Sequence, residues 1–269
     1  MHKLGAILDT KDSRDYLFKS IIRTVPIPPV MDYEAQMTPV KNQYERGSCV
    51  AFATCAVKEY QESKQSAKQL DFSEEFLYDN VGMPGGGAQP RVAMDFLVKT
   101  GVCLEKLWPY SVKATDQSSP PWIPWKPSAH RTLYLSSMQY KAQAYTRLVS
   151  TQDMMQSLVM NGPFLLAVGW LSNWTEPKEF DKEGYPILRP NQGVEEGGHA
   201  LCCVGYDQKA RTFKFKNSWG TIWGKNGYAK FTWPAVMKNL NDSWASFDLA
   251  HPQVKQEKLP KKLQNAQAH

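Results

Sequence analysis

The sequence lacks long apolar runs, and its first residues lack the apolar core of a secretory signal peptide. A membrane span needs about 18 consecutive apolar residues, and no stretch of the 269 residues approaches that length. Residues 1–5, Met-His-Lys-Leu-Gly, are too polar to begin a signal peptide. We therefore expect no membrane span, and either a location in the cytoplasm or another reducing compartment or export without a classical signal.

Cysteine is scarce, and the chain also lacks a dominant basic patch. There are five cysteines, an odd number, and two of them are adjacent on a predicted strand, where they point to opposite faces and do not readily bridge. The net charge is +6, but lysine and arginine are dispersed among acidic residues, so a nucleic-acid partner is not expected. With 42% apolar residues, the chain can bury one large core or two lobes that share a cleft.

Cys49 stands where a polar turn changes abruptly into an apolar run. The pattern from Val50 to Tyr60 favours a largely buried helix of about 15 residues. Cys49 would lie in the first turn of that helix, where unpaired N–H groups and the helix dipole favour a thiolate. For a cysteine considered alone, the competing interpretation is a buried, inert thiol.

Three separated motifs decide between these interpretations. Thr-Pro-Val-Lys-Asn-Gln ends at Gln43, Gly-His-Ala is centred on His199, and Asn-Ser-Trp-Gly-x-x-Trp-Gly-x-x-Gly-Tyr begins at Asn217. In this order, from about residue 26 to about 233, they resemble the papain family of cysteine peptidases. The sequence departs from the family at Arg46, where a cysteine is usual, and at Val50, where an aromatic residue is usual.

The resemblance implies a role for each residue of the site. Cys49 would be the nucleophile, His199 its proton partner, Asn217 the residue that orients the imidazole, and Gln43 a donor to the oxyanion. The family's main selectivity pocket and main-chain pairing edge would map to a set of small residues, Gly198, Ala200, Ala167, Gly85 and Gly86. Trp219 would shield the Asn217–His199 hydrogen bond from water, and Trp223 would border the leaving-group side, although both could also be plain core residues.

The order of the predicted elements indicates an α+β fold. Helices dominate from about residue 26 to 135 and antiparallel strands from about 136 to 250, which predicts a two-lobed papain-like architecture with the active site in the cleft between the lobes. The stretch 107–135, rich in proline and tryptophan, is expected to be irregular. Residues 1–25 look like an appendage, and residues 251–269 like a basic polar tail.

The appendage has three possible roles. Residues 4–8, Leu-Gly-Ala-Ile-Leu, are apolar enough to lie in a groove, and the prolines of residues 26–29 form an extended connector. The segment could block the cleft as a short propeptide, pack as a permanent edge element, or stay disordered.

The sequence thus predicts a papain-like cysteine endopeptidase that acts on protein or peptide substrates through a covalent thioester, with no metal or organic cofactor. Arg46, Asn80 and Met83 stand where secreted members of the family carry half-cystines, so no disulfides are expected. One alternative is a catalytically inactive binding module of the same fold. Another is acyl transfer or isopeptide cleavage by the same triad.

Overall fold

Helix α1 (Cys49–Ser66) is the longest helix of the described structure, and it is buried from residue 49 to residue 62. The structure is a computed structural model and describes residues 3–13, 15–20, 25–66, 69–111 and 131–248. With 18 residues, α1 exceeds the predicted length of about 15 because its last turn, residues 63–66, stays helical although it is polar and mostly exposed. Its first turn, being buried, is fixed by packing on every side.

The other helices largely follow their sequence signals. Ser73, directly before Glu74 and Glu75, is typical of a helix cap, and its side chain accepts a hydrogen bond from the Phe76 N–H at 2.9 Å at the start of the second helix. For the fifth helix the sequence favours Thr151 as the cap, but the cap is Ser150, whose side chain accepts the Asp153 N–H. The bounds are α2 (Glu74–Val81), α3 (Pro90–Lys99), α4 (Arg131–Met138), α5 (Thr151–Asn161) and α6 (Trp233–Lys238). Helix α4 begins inside the stretch predicted to be irregular, of which residues 112–130 lie outside the described residues.

The described strands form one eight-stranded sheet in the order β2-β8-β3-β5-β6-β7-β4, with β1 paired to β5. All strand pairs named in this order are antiparallel except β4 with β7. The bounds are β1 (Val30–Asp32), β2 (Ala144–Arg147), β3 (Phe164–Leu171), β4 (Ile187–Leu188), β5 (Glu195–Asp207), β6 (Thr212–Lys216), β7 (Tyr228–Thr232) and β8 (Leu240–Phe247). The apolar or alternating runs 164–170, 199–206, 212–217 and 228–233 predict four of these strands, β3, β5, β6 and β7.

The core places α1 directly against the sheet. One apolar cluster joins the helices α1, α2 and α3 to the sheet residues Leu165, Ala167, Ala200 and Trp244. A second cluster, rich in aromatic residues, fills the sheet-rich half. This arrangement confirms the predicted α+β fold, and it brings the N-terminus of α1 to the middle of β5. No helix in the described ranges is both long enough and apolar enough to cross a membrane.

Candidate active site

Cys49 is the first residue of α1, and its side chain is fully buried. Backbone groups of Ala200 on β5 and of Gly5 in the N-terminal segment hydrogen-bond the thiol. Burial outweighs these hydrogen bonds and raises the pKa of Cys49 to about 11. The sequence predicted the opposite direction, because the helix dipole alone favours a thiolate, and the difference arises from what covers the sulfur.

His199 and Asn217 are brought together by two neighbouring strands. His199 lies on β5, and Asn217 directly follows β6, which pairs with β5 in antiparallel register. The His199 Nε2 and Asn217 Oδ1 atoms are 2.8 Å apart. Because an amide oxygen only accepts, Nε2 donates in this hydrogen bond, and the ring is oriented without an added charge. Asn217 Oδ1 is itself fixed, since it also accepts the Ser218 N–H at 2.8 Å.

Tryptophan rings enclose the imidazole of His199. The Trp219 ring lies at a centroid distance of 4.6 Å from it with an angle of 35° between the planes, and Trp219 is 1% exposed. Trp170 meets the same imidazole edge-on at 4.9 Å. Trp223 packs against Trp219 at 5.5 Å and donates its indole N–H to the Thr175 carbonyl at 3.1 Å. The Asn217–His199 hydrogen bond lies buried beneath this cluster, with His199 0% and Asn217 3% exposed.

Sequence reasoning missed Trp170 as a site residue. It lies within the predicted strand β3, and only the register, in which Trp170 is opposite Gly197, places it beside His199. An aromatic residue in an apolar strand gave no other signal.

The side chain of Gln43 is buried and held by its own neighbours. Its Oε1 accepts from the Ser218 hydroxyl at 2.6 Å, which fixes the direction of the amide. Its Nε2 donates to the Arg46 carbonyl at 2.7 Å and to the Lys3 carbonyl at 2.8 Å. The predicted oxyanion donor therefore already binds a main-chain carbonyl oxygen.

That carbonyl belongs to residues 3–7, which we call the covering segment. The N–H groups of Gly5 and Ala6 donate to the Gly198 carbonyl at 3.0 and 2.9 Å. The Ala88 N–H donates to the Gly5 carbonyl at 2.8 Å, and the Ile7 N–H donates to the Ala88 carbonyl at 2.9 Å, which is a parallel pairing. The covering segment thus bridges β5 and the loop before α3, directly over Cys49.

The small residues predicted to wall the pocket surround this segment. Ala167 and Ala200 are partners across β3 and β5, and Ala6 packs in the same apolar cluster as both. A Cβ atom on Gly198 would lie 1.9 Å from the Ala6 carbonyl oxygen, so the segment needs glycine there.

The pairing of Gly85 and Gly86 with a substrate main chain stays a prediction, and the covering segment itself uses a neighbouring residue. The covering segment pairs with Ala88, two residues beyond the predicted pair Gly85 and Gly86. Gly85 is exposed, with open space around it. Both glycines have positive φ values, 87° and 98°, so they shape the turn that delivers Ala88 to the cleft.

Within the described ranges, no group of three or more histidine, cysteine, aspartate or glutamate side chains is arranged to hold a metal ion. The cysteines give no disulfide either: all five belong to the described part and are buried free thiols.

Comparison with solved structures gives the same fold. Xylellain, a cysteine protease from Xylella fastidiosa, superposes with a TM-score of 0.72 and 26% identity, over 91% of this chain and 96% of that one. The proform of the ragweed pollen protease Amb a 11 superposes with a TM-score of 0.61 and 20% identity, over 84% of this chain and 68% of that one.

Curated sequences agree. Chymopapain from Carica papaya is 28% identical over 83% of this chain and 59% of its own length. A cathepsin L-like peptidase from Aedes aegypti is 28% identical over 77% of this chain and 59% of its own. The chain thus spans somewhat more than half of these two relatives. The family model described as papain family cysteine protease matches residues 27–241. With that match over most of its length, the chain belongs to the papain family of cysteine proteases.

Proposed function

We propose that this chain is a papain-like cysteine endopeptidase that hydrolyses peptide bonds in protein or peptide substrates. The observation that carries the proposal is the peptide carbonyl of Lys3, bound 2.8 Å from Gln43 Nε2 in a cleft that also contains Cys49. A main-chain carbonyl placed on an oxyanion donor beside a nucleophile is the arrangement that acyl transfer requires.

The residues present supply each step of the reaction. His199 Nδ1 would take the proton of the Cys49 thiol, giving a thiolate and an imidazolium. The thiolate would attack the substrate carbonyl carbon, and the Gln43 amide, with the backbone N–H of Cys49, would stabilise the resulting oxyanion. His199 would then donate a proton from Nδ1 to the leaving amine, because its Nε2 is engaged by Asn217. Water would hydrolyse the thioester and regenerate the thiol, with His199 as the base. Acyl transfer to an amine would share every step up to the thioester.

We further propose that the covering segment inhibits the enzyme. It occupies the two main-chain edges of the cleft, at Gly198 and Ala88, and its Lys3 carbonyl oxygen occupies the Gln43 amide that would serve the oxyanion. The solved structures similar to this chain include proforms, those of Amb a 11 and of procathepsin L 3 of Tenebrio molitor.

Asp15 and Phe18, which follow the covering segment in the chain, pack against the rest of the fold. Asp15 forms ion pairs with Arg91 and Arg147, and Phe18 is 2% exposed and stacks on Phe247. Removing residues 1–24 would therefore expose part of the core. Removing residues 1–8 would uncover the cleft and keep these contacts.

The test is labelling by a thiol-directed epoxide peptide, with the adduct located by mass spectrometry. We expect a single adduct on Cys49, faster in the chain without residues 1–8, and none in the Cys49→Ala variant. Hydrolysis of a fluorogenic peptide should follow the same order. If Cys49 forms no adduct even in the shortened chain, the enzyme proposal fails and an inactive binding module is favoured. Equal rates for the two chains would remove the inhibitory role alone.

A further inference from the structure

The hydroxyl of Tyr110 contacts both ends of the turn that runs from Gln43 to Cys49. The Tyr110 hydroxyl donates to the Gln43 carbonyl at 2.9 Å. It also lies 2.8 Å from the Ser48 hydroxyl. Because a phenol has one hydrogen and a carbonyl can only accept, Ser48 is the donor in the second contact. Tyr110 thus ties the residue that bears the oxyanion amide to the residue that precedes the nucleophile.

The phenol stays a donor over the working range of pH. Burial raises the pKa of Tyr110 above its ordinary value, although the Ser48 hydroxyl and the Arg46 charge act in the opposite direction. The ring is fixed as well, since it meets Phe52 of α1 edge-on at 4.9 Å. Its backbone N–H donates to a carboxylate oxygen of Glu105 at 2.7 Å.

Arg46 supports the turn from within. Its guanidinium is 1% exposed and lies over the Tyr110 ring at 5.2 Å and the Tyr78 ring at 5.0 Å. It forms an ion pair with Glu75, whose Oε2 also accepts the Ser111 N–H at 2.9 Å. The Arg46 carbonyl accepts from Gln43 Nε2 at 2.7 Å. The main chain of Arg46 therefore aims the Gln43 amide, while its side chain is clamped by groups from α2 and from residues 105–111.

We propose that Tyr110, supported by Arg46, is a positioning residue that sets the Gln43 amide for stabilisation of the oxyanion. The inference rests on the proposed peptidase function. Tyr110 would touch neither substrate nor sulfur and would act through the turn. A donor stabilises the oxyanion only while it stays at hydrogen-bonding distance, so a small displacement of the turn would lower the rate without preventing substrate binding.

Tyr110→Phe tests the proposal, because it removes one hydroxyl and keeps the ring on Phe52 and Arg46. Two rates are measured in the full chain: hydrolysis of a fluorogenic peptide and alkylation of Cys49 by iodoacetamide. Alkylation displaces iodide at a saturated carbon and forms no oxyanion. Both reactions need an open cleft, so their ratio is independent of how often the covering segment leaves. In Tyr110→Phe we expect the ratio of the hydrolysis rate to the alkylation rate to fall about tenfold. The loss should appear in the kcat of hydrolysis, with its KM nearly unchanged.

Three variants serve as controls. Tyr206→Phe removes a matched hydrogen bond, from the Tyr206 hydroxyl to the Pro28 carbonyl at 2.9 Å, and should leave the ratio unchanged. Ser48→Ala removes the other hydrogen bond of the phenol and should lower the ratio less. Adding Tyr110→Phe to Gln43→Ala should lower it no further, because the first residue acts through the second.

If hydrolysis and alkylation slow by the same factor in Tyr110→Phe, the role of Tyr110 is merely structural and the proposal is overturned. A ratio of the two rates that is unchanged in both Tyr110→Phe and Ser48→Ala would overturn it as well. Suppose that Cys49 is alkylated but neither the full chain nor the chain without residues 1–8 hydrolyses any peptide. The peptidase function then fails, and this inference fails with it. Hydrolysis that is insensitive to Tyr110 would overturn the positioning role alone.

Discussion

Replacing Gly5 by alanine should open the cleft without altering a catalytic residue. A Cβ atom on Gly5 would lie 2.1 Å from the Gly47 carbonyl oxygen and 2.5 Å from its Cα atom, far inside any real contact. Both opposing atoms are backbone, in a turn held by Tyr110 and Arg46, so neither can move aside cheaply. The covering segment must shift instead.

The magnitude follows from what the segment would lose. Five hydrogen bonds hold residues 3–7 in the cleft, to Gln43, to Gly198 twice and to Ala88 twice. Each contributes about 1 kcal/mol net, and an overpacked contact usually costs about 1–3 kcal/mol before neighbours relax. Since about 1.4 kcal/mol corresponds to a factor of ten, a cost of about 1–3 kcal/mol should raise the open fraction roughly 5- to 140-fold.

Alkylation of Cys49 at fixed pH, followed by mass spectrometry, measures the open fraction, and hydrolysis of a fluorogenic peptide should rise in parallel. Leu8→Ala is the matched control, because Leu8 lies just beyond the covering segment and is 60% exposed. An alkylation rate in Gly5→Ala equal to that of the unaltered chain, with the thermal unfolding midpoint preserved, would refute the autoinhibition argument. An equal acceleration by Leu8→Ala would refute its steric basis.

Two further predictions concern pH and substrate choice. Burial first, and the hydrogen-bonded Asp9 carboxyl second, raise the pKa of Asp242 to about 8. A proton shared by these two carboxyls therefore stabilises the position of Asp9, next to the covering segment, and this contribution is lost progressively as the pH rises to about 8. Hydrolysis by the full chain should therefore rise from pH 6 to pH 9 more steeply than in Asp9→Asn, and equal slopes would contradict the link. The small residues Gly198, Ala200 and Ala167 predict tolerance of a bulky apolar side chain two residues before the scissile bond, with about 1 kcal/mol for each extra buried methylene. A strict requirement for glycine at that position in a substrate library would disprove this.

Several element bounds could be predicted, and the candidate catalytic residues could be named, because their sequence signals are local. Pro90 in the first turn of α3 and the Ser73 cap of α2 act within one helical turn. The Cys49, His199 and Asn217 motifs carry their own chemistry. For such residues, the neighbours that decide the structure are also neighbours in the sequence.

Long-range contacts could not be predicted in this way. Lys216 reads as a solvated lysine, but it is 5% exposed and its Nζ lies 3.0 Å from the Thr38 hydroxyl, 178 positions earlier in the chain. Strands β1 and β8 were missed because each is defined by its pairing with a distant strand, β5 or β3. The predicted direction of the Cys49 pKa shift was wrong for the same reason, since the burial that raises this pKa comes from packing against residues far away in the sequence, such as Ala167 and Ala200.

The same main-chain groups would serve both the covering segment and a substrate, and this couples inhibition to affinity. A peptide that pairs with Gly198 and Ala88 gains hydrogen bonds only after the covering segment has released them. Because the segment is tethered, it competes at an effective concentration of roughly millimolar order. A free peptide must therefore be present at a higher concentration or bind the cleft more tightly than the segment does. A change in the shared edge, such as Gly198→Ala, would weaken the binding of the covering segment and of a substrate alike. The added Cβ atom would lie 1.9 Å from the Ala6 carbonyl oxygen, and a substrate main chain at the same place would meet it too. Only changes in the covering segment itself, such as Gly5→Ala, can alter the release of the segment without altering the recognition of the substrate.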